Sequence, residues 1–360
     1  MKFALKGTHI LLYIHIPFCD SKCHYCSFNS YVDKFDQIKA YMDALYLQLE
    51  HELKRFNPRP KSITSVFIGG GTPSTVEPEL YQKVFSLIRP YLTDNVEITT
   101  EANPNSATQK WLDGMKILGC TRISFGVQSF NNAKLKFLGR EHNSSEAHEA
   151  VRRAKDVGFE HISLDLIYAT KMDTKELLQS DLDTAFSLPV DHISAYALTI
   201  EENTLFETYP QAAKERLELT EFFIDAIKTR GFEQYEISNF GKYRCSHNIG
   251  YWQLQDYIGA GSGAVGMLKD KRFYPNTDID AYIKDPLKIT VEELSEEDIR
   301  TEKLLLGLRS CVGINVDELS STERKQLELL LSEEKLLRIK DKAYNPNFLL
   351  SDEIALFIQA

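Results

Sequence analysis

No stretch of this 360-residue chain approaches the ~18 consecutive apolar residues of a membrane-spanning helix. The run Ile10-Leu11-Leu12-Tyr13-Ile14, which follows Lys2 and Lys6, is too short for a secretory leader. It leads into His15 and is followed by no small-residue cleavage site, so a buried first strand is expected there. There is no dense Lys/Arg run, and the net charge is −10, so a general nucleic-acid-binding role finds no support. Cysteine is scarce, with six in all. Cys120, Cys245 and Cys311 are scattered and read as buried free thiols of a reducing cytoplasm rather than a disulfide framework. Internal repeats and low-complexity tracts are also missing. What remains is an ordinary globular composition, in a chain long enough for a large core domain and a smaller one.

The other three cysteines stand together as Cys19-x3-Cys23-x2-Cys26, directly after Tyr13-Ile14-His15-Ile16-Pro17-Phe18. Clustered thiolates suit a soft metal centre. A [4Fe–4S] cluster normally takes four Cys, so three would leave one iron open to an exogenous ligand. A zinc site is the alternative, with His15 or His24 as the fourth ligand.

Six β-rich runs, Leu11–Ile16, Ser65–Ile68, Val96–Thr100, Arg122–Val127, His161–Ile167 and His192–Leu198, alternate with segments of helical periodicity. In the first such segment Ile38, Tyr41, Met42, Leu45, Leu49, Leu53 and Phe56 line one face. Six β-then-α units predict an α/β fold, with a parallel sheet, helices outside and ligand loops at the C-terminal strand ends. The notable residues fall at those ends. The cysteines follow the first strand and Gly69-Gly70-Gly71-Thr72-Pro73 the second; Glu101 ends the third, Gln128 the fourth, and Asp165 lies near the end of the fifth. One ligand site over the mouth of a partial barrel is expected. Beyond residue 230 the pattern changes: Phe232–Asn239 reads as an added strand, and the chain from Ser295 on reads helical, with Glu302–Leu308 and Glu323–Leu331 as helices. The predicted division is 1–230 for the barrel, 231–290 for an extending segment and 291–360 for a small, mainly helical C-terminal domain.

Each constellation has a plainer meaning as well. The Gly69–Pro73 loop lets backbone amides approach a ligand, although a strand-to-helix turn needs glycine too; no Gly-Lys-Ser/Thr follows, so it is no P-loop. Glu101 can cap the next helix or bind ribose hydroxyls or an ammonium. Arg140 can hold a carboxylate bidentately and Asp165 can accept from a ribose or amine, while each alone is more often structural. Gly259-Ala260-Gly261-Ser262-Gly263 is too short for a dinucleotide loop and reads as a turn. His247 is ordinarily a satisfied polar group; with Tyr251 and Trp252 in His247-Asn248-Ile249-Gly250-Tyr251-Trp252 it also suits a porphyrin iron.

Taken together, these segments resemble the radical-SAM superfamily and, within it, the oxygen-independent coproporphyrinogen III oxidase family with its HemW-type haem-chaperone branch. The resemblance rests on Tyr13–Cys19, Cys23-His24-Tyr25-Cys26-Ser27-Phe28, Gly69–Ser74, Ile123–Phe130, Leu138-Gly139-Arg140, Leu164-Asp165-Leu166-Ile167 and His247–Trp252, which span most of the chain. It implies a partial (β/α)6 radical-SAM barrel. By this resemblance Cys19, Cys23 and Cys26 bind a [4Fe–4S] cluster. Tyr13, Gly70 and Glu101 contact the cluster-bound S-adenosylmethionine (SAM). Gly71, Thr72, Gln128, Arg140, Asp165 and a backbone contact at Ala197 serve a second SAM, and His247 serves haem. Two departures separate the branches. The oxidases place a fourth cysteine where Phe28 stands, and they carry an N-terminal extension where this chain has 18 residues before Cys19. The expected role is therefore a cytoplasmic haem chaperone that delivers haem to respiratory haem proteins, with transient membrane association. The competing enzyme role is oxidative decarboxylation of two propionates of coproporphyrinogen III, begun by a 5′-deoxyadenosyl radical. Relatives usually read Gly-Leu-Pro after the fifth strand, where this chain has Ala169-Thr170-Lys171; a different loop geometry is expected there.

Overall fold

The computed structural model describes residues 9–360; Lys2 and Lys6, weighed above as part of a leader, lie outside the described residues. The barrel is built from β1 (Ile10–Ile16), α1 (Ile38–Phe56), β2 (Ile63–Gly70), α2 (Pro78–Ile88), β3 (Leu92–Ala102), α3 (Gln109–Leu118), β4 (Arg122–Gln128), α4 (Asn132–Phe137), α5 (Ser144–Val157), β5 (His161–Tyr168), α6 (Lys175–Ser187), β6 (His192–Ala197) and α7 (Leu217–Thr229). Strands β1 to β6 lie side by side in chain order, all parallel, as six β-then-α units require. All six predicted strands are found.

The alternation along these strands separates two environments. Leu12, Ile14, Val66, Ile68, Ile98, Ile123, Phe125, Ile162, Leu164 and Ile193 are buried in one apolar core with the helices, including Tyr41, Leu45, Leu49 and Leu53 of α1. Residues of opposite parity, among them Ser65, Glu97, Thr99, Arg122, Ser124, Ser163, His192 and Ser194, are buried and polar and fill the barrel interior. The helices start where the sequence supplies caps. Asn143 and Glu146 form a capping box on α5, and Gly158 ends that helix at φ 94°.

The added segment corrects the expectation of one strand over Phe232–Asn239. Two short strands stand there, β7 (Glu233–Gln234) and β8 (Asn239–Gly241), and β8 pairs antiparallel with β6. The cause is local: Glu236 turns back to accept from the Ser238 amide at 3.2 Å, breaking the extended run. Next come α8 (Ser246–Trp252), β9 (Tyr257–Ala260), β10 (Gly266–Leu268), β11 (Lys271–Pro275), α9 (Ile279–Lys284) and β12 (Ile289–Glu293). The Gly259–Gly263 run is therefore half strand: β9 adds to the free edge of β1 in parallel, and β10 to β12 extend the sheet to twelve strands among the described residues. Gly259 is needed there, because a Cβ would meet the Val265 carbonyl oxygen at 2.1 Å.

The C-terminal part comprises α10 (Glu296–Leu308), β13 (Ile314–Asn315), α11 (Ser321–Ser332), β14 (Leu337–Ile339), β15 (Lys342–Tyr344) and α12 (Ser351–Gln359). It has its own apolar cluster around Leu308, Leu327, Ala343 and Ile358. The two predicted helices are present, joined by a three-stranded sheet that the helical reading did not contain. Among the described residues no helix is long and apolar enough to cross a membrane.

Candidate cofactor site at the barrel mouth

The segment between β1 and α1 is a folded loop held by its own backbone. Tyr31 donates its amide to Pro17 O at 2.7 Å and accepts from the Cys19 amide at 3.0 Å, and the Lys22 ammonium closes the loop on Phe28 O and Ser30 Oγ, each at 2.8 Å. This places Cys19, Cys23 and Cys26 on one wall of a cavity of about 350 Å³ at the C-terminal strand ends. Gly70, Gly71, Thr72, Glu101, Gln128, Arg140, Asp165 and Ala197 line the same cavity. The structure thus brings together eleven of the thirteen candidate residues; Tyr13 and His247 do not join them.

Each wall has a physical cause. Gly70 sits at φ +115°, and a Cβ there would lie 2.4 Å from His15 Cε1, so only glycine lets the loop turn over that ring. Gln128 is a non-glycine residue at φ +67°, at a break in the β4–β5 register. Such an irregularity at a strand end re-aims the side chain, here into the cavity. Arg140 donates to Cys23 Sγ at 3.2 Å, Asn103 Oδ1 at 2.5 Å and Gly126 O at 2.6 Å, so its fork is occupied by the protein itself. Asn103, passed over in the sequence although it stands two residues after Glu101, also donates to Thr72 Oγ1 at 3.1 Å.

The electrostatics follow from burial. Glu101 opens partly to the cavity, but the atoms around it dehydrate its carboxyl. Burial and then the nearby Asp165 charge push it up to about 8, while the Gly70 amide, donating at 3.2 Å, holds it down. Asp165 is raised by burial and accepts from Ser124 Oγ at 3.1 Å. Burial also raises the Cys19 and Cys26 thiols, and at Cys19 the Thr72 hydroxyl, donating at 3.4 Å, works against it.

The two histidines offered as a fourth zinc ligand are committed elsewhere. Among the described residues no three His, Cys, Asp or Glu side chains converge as one ion would require. His15 is buried, donating Nε2–H to Asn29 O at 2.8 Å and accepting from the Tyr13 hydroxyl at 2.9 Å; His24 donates Nδ1–H to Phe137 O at 2.9 Å. Neither ring lines the cavity. The three cysteines share one cavity wall without forming a converged metal-binding group among the described residues.

His247 lies at the other end of the barrel. It is 1% exposed, its Nδ1 pairs with Ser65 Oγ at 2.8 Å, and the amides of Ser246 and His247 donate to the Glu97 carboxylate at 2.8 and 3.1 Å. Glu97 and Glu101 are separated on β3 by ~13 Å of strand. Burial pushes the His247 imidazole down to about 3, and its Nε2 has no partner among the described residues. In this conformation α8 is a floor plug, and nothing as large as haem reaches the ring. The plain reading of a satisfied core histidine holds for Nδ1. Tyr13 lines a second cavity with Tyr251, Tyr257 and Arg272.

The loop after β5 explains a departure noted in the sequence. Ala169 has φ +59°, the left-handed region that favours glycine. The turn is held regardless, by the Thr170 amide on Asp173 Oδ2 at 2.7 Å and the Lys214 amide on Ala169 O at 2.8 Å. Ala169 thus occupies a backbone region that favours glycine. Of the three scattered cysteines, Cys120 and Cys245 are buried as expected, whereas Cys311 is partly exposed; all three are free.

A parallel partial barrel with a three-cysteine loop and a Gly-rich turn at one mouth defines a radical-SAM protein, and the Radical SAM superfamily profile matches residues 13–185. The chain is 34% identical over 321 residues to the heme chaperone HemW of Bacillus subtilis, covering 84% of each chain. It is 40% identical over 273 residues to HemW of Haemophilus influenzae, covering 73% of this chain and 71% of that one. The HemW of Escherichia coli is 38% identical over 272 residues. The chain belongs to the HemW family. Its fold matches the solved structure of coproporphyrinogen III oxidase (HemN) from Escherichia coli, a radical SAM enzyme, with a TM-score of 0.80 at 19% identity over 98% of this chain and 90% of that one.

Proposed function

We propose that this protein is a haem chaperone that holds a [4Fe–4S] cluster on Cys19, Cys23 and Cys26, SAM on the opposite wall of the mouth cavity, and haem as cargo for respiratory haem proteins. The observation that supports it is the shared cavity, in which the three thiols face Gly70, Glu101, Gln128, Arg140 and Asp165. When bound, the cluster supplies an electron-donating centre with an open iron for SAM. The chain's own part is to position it: Thr72 and Arg140 donate to Cys19 and Cys23 sulfur, and Glu101 and Asp165 face the cationic ligand. Gly71, Thr72, Gln128, Arg140, Asp165 and Ala197 are the proposed surroundings of a second SAM. The chaperone reading is favoured over the oxidase by Phe28. At the oxidases' fourth-cysteine position it is 65% exposed on the cavity rim and offers no ligand. A cytoplasmic setting with transient membrane association completes the proposal.

The test is anaerobic reconstitution followed by parallel assays for haem binding and for coproporphyrinogen III conversion. About four irons per chain are expected, the content of the cluster type. Cys19→Ala, Cys23→Ala and Cys26→Ala should each abolish them; full iron in all three variants overturns the cluster site. Haem binding without protoporphyrinogen formation supports the chaperone. Repeated turnover with SAM and an electron donor establishes the oxidase instead.

A further inference from the structure

One lysine is sealed behind the mouth cavity. Lys134 stands in α4, and its side chain is 0% exposed. Its ammonium donates to Asp173 Oδ1 at 2.6 Å and to Ile167 O at 2.7 Å, and lies 3.9 Å from Asp181 Oδ2. Each carboxylate in turn holds a loop at a strand end. Asp181, on α6, accepts from the Ser129 hydroxyl and from the Phe130 amide, each at 2.7 Å, directly after Gln128. Asp173 accepts from the Thr170 amide at 2.7 Å, and its carbonyl accepts from Arg216. Gln128 and Ile167 line the cavity. The β4–β5 register shifts between Phe125 and Gln128, so the regular ladder is interrupted just before these two strand ends, and the lysine bridges them beyond the break. A buried ion pair is weak evidence of stability, because apolar residues of similar volume often serve as well. The distinctive property of this group is where its bonds end, which is on the segments that carry Gln128 and Ile167.

We propose that Lys134 is a positioning residue of the mouth cavity, tying the end of β5 to the loop after β4 and so holding Gln128 and Ile167 in place against SAM. This rests on the SAM reading above. Lys134 does not itself line the cavity. It acts through Gln128, whose left-handed backbone at φ +67° persists only where its surroundings fix it. The same salt bridge anchors the Ala169-Thr170-Lys171 turn, through Asp173 and the Thr170 amide.

The experiment sets anaerobic calorimetry of SAM binding beside iron content and thermal melts of the reconstituted protein. Lys134→Met should keep its iron and bind SAM about tenfold more weakly, the loss expected when a group supporting a ligand contact is removed. Gln128→Ala should also weaken SAM. The variant carrying both changes should lose less than the product of the two single losses, because one residue acts through the other. Lys134→Met combined with Asp173→Asn removes both charges of the pair. It should regain Tm, since no carboxylate is left buried without its cation, yet stay weak for SAM. A merely structural lysine would instead give an affinity that follows Tm. If Lys134→Met alone does not fold, the variant without either charge decides: weak SAM binding supports the proposal, and wild-type binding overturns it. Unchanged affinity in folded Lys134→Met, or single losses that multiply in full, also overturns it while leaving the SAM pocket in place. Wild-type binding in Gln128→Ala overturns the reading of that wall, and a wild type that binds no SAM overturns the pocket itself.

Discussion

Glu101, at the proposed SAM site, has a carboxyl whose burial tells against the stability of the cofactor-free protein. Folded, its carboxyl stays protonated up to about 8, whereas in the unfolded chain it ionises near the ordinary ~4.3. Between those values the folded state binds more protons, so its stability falls as pH rises through the window. Glu101→Gln cannot ionise and escapes this loss. Thermal melts of the cofactor-free protein should show a Tm advantage for the variant that opens from pH 5 to pH 8, reaching about 2–4 °C, the effect of ~1 kcal/mol in a large domain. The same variant should bind SAM about 10- to 150-fold more weakly, the loss of one charge-assisted hydrogen bond. A variant less stable than wild type at every pH would mean that the carboxylate is structural. Glu97 has the opposite sign. Burial raises it, but Arg122, the Tyr243 hydroxyl and the α8 amides hold it below its usual range, so its contribution persists above that range and is lost on acidification through its folded-state value.

At the scale of the element, the β5–α6 loop and α8 make separate claims. Ala169 at φ +59° pays a backbone cost that glycine would not, so Ala169→Gly should stabilise the protein by about 1 kcal/mol in urea unfolding with an unchanged m-value. Loss of stability would mean that its methyl group packs more strongly than the turn is strained. For α8, His247→Ala removes a buried ring and the partner of Ser65 Oγ, and should cost about 2–3 kcal/mol while leaving the iron–sulfur absorbance intact. The haem-loaded variant then decides a second question. An unchanged Soret band makes His247 a floor residue only, and a lost or shifted band means that α8 lifts to present it.

The whole molecule joins two apolar cores, one under the barrel helices and one in the C-terminal part. Backbone bonds stitch them: Ile237 donates to Arg309 O at 3.0 Å and Cys311 to Tyr235 O at 2.8 Å, while Arg272 pairs with Glu302 at 2.6 Å. Tyr235 is also the floor residue whose hydroxyl contacts His192 at 2.7 Å, so the C-terminal part leans on the barrel floor. Fluorescence and circular dichroism should therefore report one shared urea transition; two resolved transitions would show that the C-terminal core melts independently.

Much of this was legible beforehand. Six parallel strands follow from period-two apolar runs between helical stripes, and a single mouth follows because parallel strands put all their C-terminal ends on one side. That logic gathered Cys19, Gly70, Glu101, Gln128 and Asp165 around one cavity without knowledge of any distance, and Arg140, which ends no strand, joins them there. It reached less far where position depends on packing across the chain. The aromatic neighbours of His247 suggested a ligand surface, but only the tertiary fold could show α8 turned under Ser65 and Glu97 with the ring sealed from solvent. The zinc alternative likewise depended on where His15 and His24 point, and each ring is committed to a backbone carbonyl elsewhere. Arg122 was legible only as the first residue of a strand. Its approach to His192 comes from β4 and β6 flanking β5, because side-chain periodicity fixes which face a residue takes but not which partners it meets there.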